Sequence, residues 1–192
     1  HDCETKLPYV EFDSNKLKEN IKYINLNKVH SIQYFYATPS KQLASQFGHA
    51  MLKIIICSDK HSVESDECLT DFSQHIVLGF RAATGLDQID PIKGMSGKYP
   101  LRMYFMSHDN AMSEYNLYDN RDLIAYPLKL KREDVLQIVK RAIEIHWQYS
   151  AKYYFATKNC ATETLNLLRA AIQTNALFEF NVSTPNELRN KL

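Results

Sequence analysis

Cys160 opens the stretch TKNCATETLNLLRAA (157–171), where an Asn-Cys pair precedes an apolar repeat of helical spacing. A thiol there has three readings: a small apolar filler, half of a disulfide, or a nucleophile. Asn159 is a good helix N-cap and would set Cys160 in the first turn. Free N–H groups and the positive dipole end at that place lower a thiol's pKa and favour the reactive thiolate.

A nucleophilic cysteine also needs a base. The chain offers His1, His30, His49, His61, His75, His108 and His146. His49, in SQFGHAMLKI, is the best placed. Gly48 allows close backbone approach, and an apolar strand begins at the histidine and would fix its ring. His146 falls on the apolar stripe of a long helix and reads as a satisfied core histidine, while His1, His30 and His108 have polar or edge contexts with no evident partner. Cys57, His61, Cys68 and His75 are the right types for zinc, but three, six and six intervening residues match no compact zinc pattern, so no metal is assigned. Four cysteines permit disulfides. With Cys160 set aside, Cys3, Cys57 and Cys68 allow at most one pair, and Cys57 and Cys68 flank a polar loop whose ends they could join.

The elements that must position these groups follow from periodicity. VHSIQYFYAT (29–38) and FSQHIVLGFRAA (72–83) read as strands. HAMLKIIIC (49–57) is a strand with both faces buried, because its apolar run is continuous. KQLASQFG (41–48) is a turn or short helix, and SDKHSVESDE (58–67) is a solvated loop. TGLDQIDPIKGMSGKYP (84–100) is a glycine-bearing loop. LRMYFMSHDNAMSEYN (101–116) is ambiguous, and RDLIAYPLKL (121–130) is strand-like. KREDVLQIVKRAIEIHWQYSA (131–151) is an amphipathic helix on Val135, Ile138, Val139, Ala142 and Ile143. KYYFATKN (152–159) is extended, and CATETLNLLRAAIQ (160–173) is the last clear helix. Nearer the start, Leu17, Ile21 and Ile24 behind a Ser14 cap predict a short amphipathic helix.

Composition bounds the rest. With 192 residues, 45% hydrophobic and 23% charged, the chain makes one α+β domain, 1–192. It divides into an N-terminal appendage (1–30), a core (31–172) and a C-terminal extension (173–192). A net charge of +1 without a concentrated basic face argues against nucleic acid as partner. No apolar stretch approaches the roughly 20 residues a membrane helix needs. Because the chain starts at His1-Asp2-Cys3, an export signal or anchor is expected to be missing from it.

Four segments in fixed order resemble one family. IQYFYATPSKQLASQFGHAMLKI, KGMSGKYP, YNLYDNRDLIAYPLKLKREDVLQIV and YYFATKNCATETLNLL are similar to the motifs of the bacterial Lnb-type N-terminal periplasmic domain, across about residues 31–172. The resemblance implies a circularly permuted papain-like (NlpC-like) fold with an antiparallel sheet packed against helices. In it the histidine strand precedes the cysteine helix, as His49 precedes Cys160. It also implies a cysteine-nucleophile acyltransferase or hydrolase working through a thioester, with Cys160 and His49 as the catalytic pair. The family includes lipoprotein transacylases. The substrate would be acyl-bearing (lipoprotein, lipid or peptide), the setting the bacterial cell envelope, with room for peripheral membrane contact and no cofactor. An envelope amidase or peptidase of NlpC-like type, or a silent binding domain on the same fold, remain as alternatives.

A third member of the catalytic set stays open. His75 is tempting, yet an antiparallel third strand would instead set Gly79–Arg81 beside His49. Arg121 and Tyr126 read as pins for a strand or loop, Gly94 and Gly97 as loop geometry, and Ser45 and Gln46 as residues that could face the site.

Overall fold

A computed structural model describes residues 5–13, 18–41, 45–83, 90–172 and 174–192. His1, Cys3 and the Ser14 cap lie outside these residues. The strands are β1 (Lys6–Asp13), β2 (Lys18–Asn25), β3 (Val29–Ala37), β4 (His49–Ile56), β5 (Ile76–Ala82), β6 (Pro100–Ser107), β7 (Leu123–Pro127) and β8 (Ala151–Lys152). The helices are α1 (Pro91–Met95), α2 (His108–Met112), α3 (Arg132–Gln148), α4 (Cys160–Ala171) and α5 (Pro185–Lys191). A π-helical turn, Ser113–Tyr118, continues α2. The fold is α+β.

The sheet runs β2-β1-β6-β5-β4-β3-β7, with β8 also on β6. It is mixed rather than antiparallel throughout, because β1 joins β6 in parallel, with Glu11 opposite Phe105. All other pairs are antiparallel. This corrects the antiparallel sheet expected from the resemblance. The expected helix near residues 14–24 is likewise corrected to the strand β2. Ile24 is 0% exposed while Ile21 is 66% and Tyr23 63% exposed, so the apolar residues fall on opposite strand faces. Pairing along all of β1 outweighs the weak local helix signal.

Strand alternation explains the layers. On one face Ala50, Leu52, Ile54 and Ile56 of β4 join Ile32, Tyr34 and Tyr36 of β3 and Leu78 and Phe80 of β5. That face packs on the α3 stripe (Val135, Ile138, Val139, Ala142, Ile143) and on Ala161, Leu165 and Leu168 of α4. On the other face Met51, Phe35, Val77, Tyr104 and Met106 pack on Ala111 and Tyr115, from α2 and the π-helical turn. Every residue of β4 after His49 is buried, as its continuous apolar run predicts.

His146 is satisfied, as the helix stripe predicts, but half-buried rather than in the core: its Nε2 accepts the Val10 N–H at 3.1 Å, fastening β1 to α3. Trp147 repeats the tie, its indole N–H donating to the Pro8 carbonyl at 3.0 Å. Cys57 and Cys68 form a disulfide across 11 residues of sequence, so these sulfurs cannot act as zinc thiolates. His61 instead lies 2.9 Å from Asp71 Oδ2. Closing a loop of that length removes unfolded-state entropy equivalent to about 3 kcal/mol. The double replacement Cys57→Ser/Cys68→Ser is therefore expected to lower the urea-unfolding free energy by about 3 kcal/mol, read from the transition midpoint at unchanged slope.

Candidate active site

Cys160 is the first residue of α4, and Asn159 is its cap as expected. The Asn159 Oδ1 accepts the Ala161 and Thr162 amides at 2.9 and 3.2 Å, and Thr162 Oγ1 accepts the Asn159 amide at 2.9 Å. Such a reciprocal box satisfies donors that a helix start otherwise leaves open. Asn159 Nδ2 meanwhile donates to the carbonyls of Phe155 and Ser183, both at 2.9 Å, and so ties the helix start to the segment entering α5. Tyr34 anchors the same segment by donating to the Pro185 carbonyl at 2.8 Å.

The histidine arrives from the sheet. Gly48 has φ of +84°, and a Cβ there would lie 2.7 Å from the Tyr36 ring and 2.8 Å from the Ala37 carbonyl. No side chain fits, so the chain turns sharply into β4 and delivers His49 at the strand's first position. β4 packs on α4, which brings the start of the strand to the same cavity as the helix start.

The two predicted residues line one cavity of about 310 Å³. Its walls are mostly apolar: Phe47, Phe80, Ala82, Tyr153, Phe155 and Pro185. Phe47 and Phe155 meet edge-on at 5.5 Å. A second groove, lined by Tyr36, Gln46, Asn186 and Arg189, shares Phe47 and Thr184 with the first. Among the described residues no hydrogen bond joins the imidazole of His49 to the thiol directly; the cavity is what they share.

Electrostatics set the resting state. Burial pushes the Cys160 thiol up to about 11, against the opposing pull of the Ala50, Ala161 and Cys160 amides and of Arg121. The helix start does favour the thiolate, as the sequence leads one to expect, but desolvation outweighs it. Burial also pushes His49 down to about 3, aided by the positive charges of Arg121 and Arg81. Both groups therefore rest neutral near pH 7.

The other expectations sort by register. Met51 pairs with Gly79, which sets Arg81 at the level of His49 and His75 at the far end of β5. His75 is buried there with its Nε2 2.8 Å from the Cys68 carbonyl, so it cannot orient His49. Arg121 donates to the carbonyls of Thr38 (2.6 Å) and Ala37 (3.2 Å), the pinning role expected of it. Tyr126 pairs with Tyr34 in the sheet. Gly97 takes φ of +70° beneath the Tyr154 ring, Gly94 accepts the Phe155 amide, and Ser45 closes the turn before Gly48. Gln46 lines the second groove.

Sequence reasoning missed Tyr104. Its hydroxyl lies 3.1 Å from His49 Nε2 and 3.2 Å from the Tyr115 hydroxyl. The available signal was the alternation of Leu101, Met103 and Phe105 on the helix side of β6, which leaves Tyr104 on the His49 side.

A family model, the Lnb N-terminal periplasmic domain, matches residues 16–190. The chain belongs to that family. The match runs past the motif-bearing span, 31–172, at both ends. No curated protein and no solved structure matches the chain. Membership in a family of periplasmic domains indicates the bacterial envelope, where a disulfide such as Cys57–Cys68 persists. No helix of the described residues is long and apolar enough to cross a membrane.

Histidine burial gives this Lnb domain a pH signature. His49 and His75 fall from 6.5 to about 3 and about 4, mainly by desolvation. Between those limits the unfolded chain binds more protons than the folded one, so stability is intact above pH 6.5 and declines as pH falls toward 3–4. The urea midpoint is expected to drop between about pH 6.5 and about pH 4, and less steeply in His75→Gln.

Proposed function

We propose that the chain is a cysteine-dependent acyltransferase or hydrolase that works through a thioester, with Cys160 as nucleophile and His49 as base. The observation that carries this reading is the convergence of a capped helix-start cysteine and a strand-start histidine on one apolar cavity. The order of histidine strand before cysteine helix accords with a circularly permuted papain-like arrangement.

The chemistry follows from the neutral resting pair. As the sulfur attacks an ester or amide carbonyl, its proton passes to the imidazole. An S–C bond forms, and the carbonyl π electrons move onto oxygen. The Ala161 and Thr162 amides are held by Asn159 Oδ1 and the Glu163 amide by the Asn159 carbonyl, which leaves the Cys160 N–H as the first-turn donor for that oxyanion. Collapse breaks the bond to the leaving group, which takes the proton from His49. An incoming amine or water then gives its proton to His49 and attacks the thioester. Collapse of that second adduct breaks the C–S bond, and the sulfur recovers the proton. Amine as acceptor gives N-acyl transfer, of the kind the lipoprotein transacylases perform; water gives hydrolysis.

The apolar walls favour a hydrocarbon acyl chain over a peptide. Each methylene buried contributes about 0.8 kcal/mol, so kcat/KM for p-nitrophenyl octanoate is expected to exceed that for the acetate ester by at least about tenfold. The direct test is labelling by a thiol-reactive acyl probe, with mass mapping of the adduct. Labelling confined to Cys160, and weakened in His49→Ala, supports the reading. Absence of any Cys160 adduct and of ester turnover would leave a binding domain.

A further inference from the structure

We propose that Tyr104 is a positioning residue that holds His49 as the Nε2–H tautomer, through a hydroxyl chain ending on Tyr115. The proposal rests on the reading of Cys160 and His49 as nucleophile and base, and adds what fixes the base.

The arrangement is built on one face of the sheet, from β4, β5, β6 and the π-helical turn. His49 stacks near-parallel on both tyrosine rings, 19° from each, at centroid distances of 6.5 Å to Tyr104 and 5.8 Å to Tyr115. The Tyr104 hydroxyl has its seat because residue 79 is glycine: a Cβ there would come within 3.0 Å of that oxygen. Arg81 covers the Tyr104 ring at 4.3 Å and pairs with Glu114 at 3.3 Å, closing the outer side. Tyr104 and Tyr115 are both buried, so neighbours rather than water must satisfy their hydroxyls.

Proton counting leaves two directions for this chain, and the role of His49 as base chooses between them. A tyrosine hydroxyl has one proton to give, and Tyr104 contacts two partners, His49 Nε2 and the Tyr115 oxygen. If Tyr104 gave its proton to Nε2, the proton of His49 would sit on Nδ1 and the ring would have no lone pair for a thiol. Cys160 is buried and keeps its proton at rest, so the base must present a lone pair on the nitrogen that Tyr104 does not occupy. Nε2–H therefore donates to Tyr104, Tyr104 donates to Tyr115, and the Nδ1 lone pair is left for the sulfur. When the S–H proton moves to Nδ1, the resulting imidazolium already has its Nε2–H directed at an oxygen. No ring flip is needed.

Nitrogen-15 NMR of the imidazole in the labelled chain, assigned by loss of the signal in His49→Gln, reads the tautomer without reference to activity. The expected result is a proton on Nε2 in the wild type at pH 7 and a tautomer mixture in Tyr104→Phe. In that variant kcat for p-nitrophenyl octanoate should fall about 100-fold, with KM changed less than about twofold. Tyr115→Phe should fall between the two. A wild-type proton on Nδ1, which needs no variant to fold, overturns the proposal. So does a Tyr104→Phe protein with tautomer and kcat unchanged. Persistence of turnover in Cys160→Ala would overturn the catalytic reading instead, leaving the tautomer to be judged by the spectrum.

Discussion

Cys160→Ala is expected to abolish acyl-ester turnover and covalent labelling together, with the melting temperature nearly unchanged. The sulfur is the atom that would form the thioester, and no second free cysteine stands among the described residues to replace it. Its removal trims one small atom at the edge of a cavity rather than opening a void in the packed layers. His49→Ala should lower kcat by about 10³-fold, the range of a lost general base. The burial that holds the thiol near 11 makes the base more necessary, since little thiolate exists at pH 7 without it. Two groups that act as one unit do not add, so Cys160→Ala/His49→Ala should be no slower than Cys160→Ala alone. Pre-steady-state kinetics with p-nitrophenyl octanoate checks this: a burst in the wild type, none in Cys160→Ala, and a slowed acylation phase in His49→Ala. A wild-type burst surviving in Cys160→Ala would place the nucleophile elsewhere.

What could be read from the chain was whatever is local. The continuous run of β4, the β-branched and aromatic residues of β3, the stripe of α3 and the Asn159 cap each lie within about ten residues, and each appears where expected. Failures came where a distant partner decides. Ile21 and Ile24 fit a helix turn as well as a strand, and their partners in β1, Val10 and Leu7, 11 and 17 residues earlier, resolve the choice. The same applies to the orientation of His49. His75 was attractive by residue type, but register with β4 carries it to the wrong end of β5, while Tyr104 reaches His49 from a strand not adjacent to it. Net burial is likewise a property of the assembled layers, which is why a helix-start thiol that sequence would make acidic is instead held protonated.

Gly48→Ala is expected to damage stability and activity at once. The left-handed φ of +84° costs an L-residue about 1–2 kcal/mol. The new methyl would then meet the Tyr36 ring at 2.7 Å and the Ala37 carbonyl at 2.8 Å, adding overpacking of about 1–3 kcal/mol. Together these come to about 2–5 kcal/mol, or a fall of roughly 4–20 °C in melting temperature for a domain of this size. Relief of the clash must move either the β3 end, which Arg121 clamps through the Ala37 and Thr38 carbonyls, or the start of β4, which bears His49. The clamp makes β4 the softer side, so the displacement should pass to the imidazole and lower kcat in the protein that still folds. Ser45→Ala separates the two effects. It loses the 2.6 Å bond to Ser40 Oγ in the same turn but keeps Gly48, and should cost no more than about 1 kcal/mol with kcat intact. Equal damage from both replacements, measured by calorimetry and ester turnover, would mean that the turn as a whole, and not the space beside Gly48, positions His49.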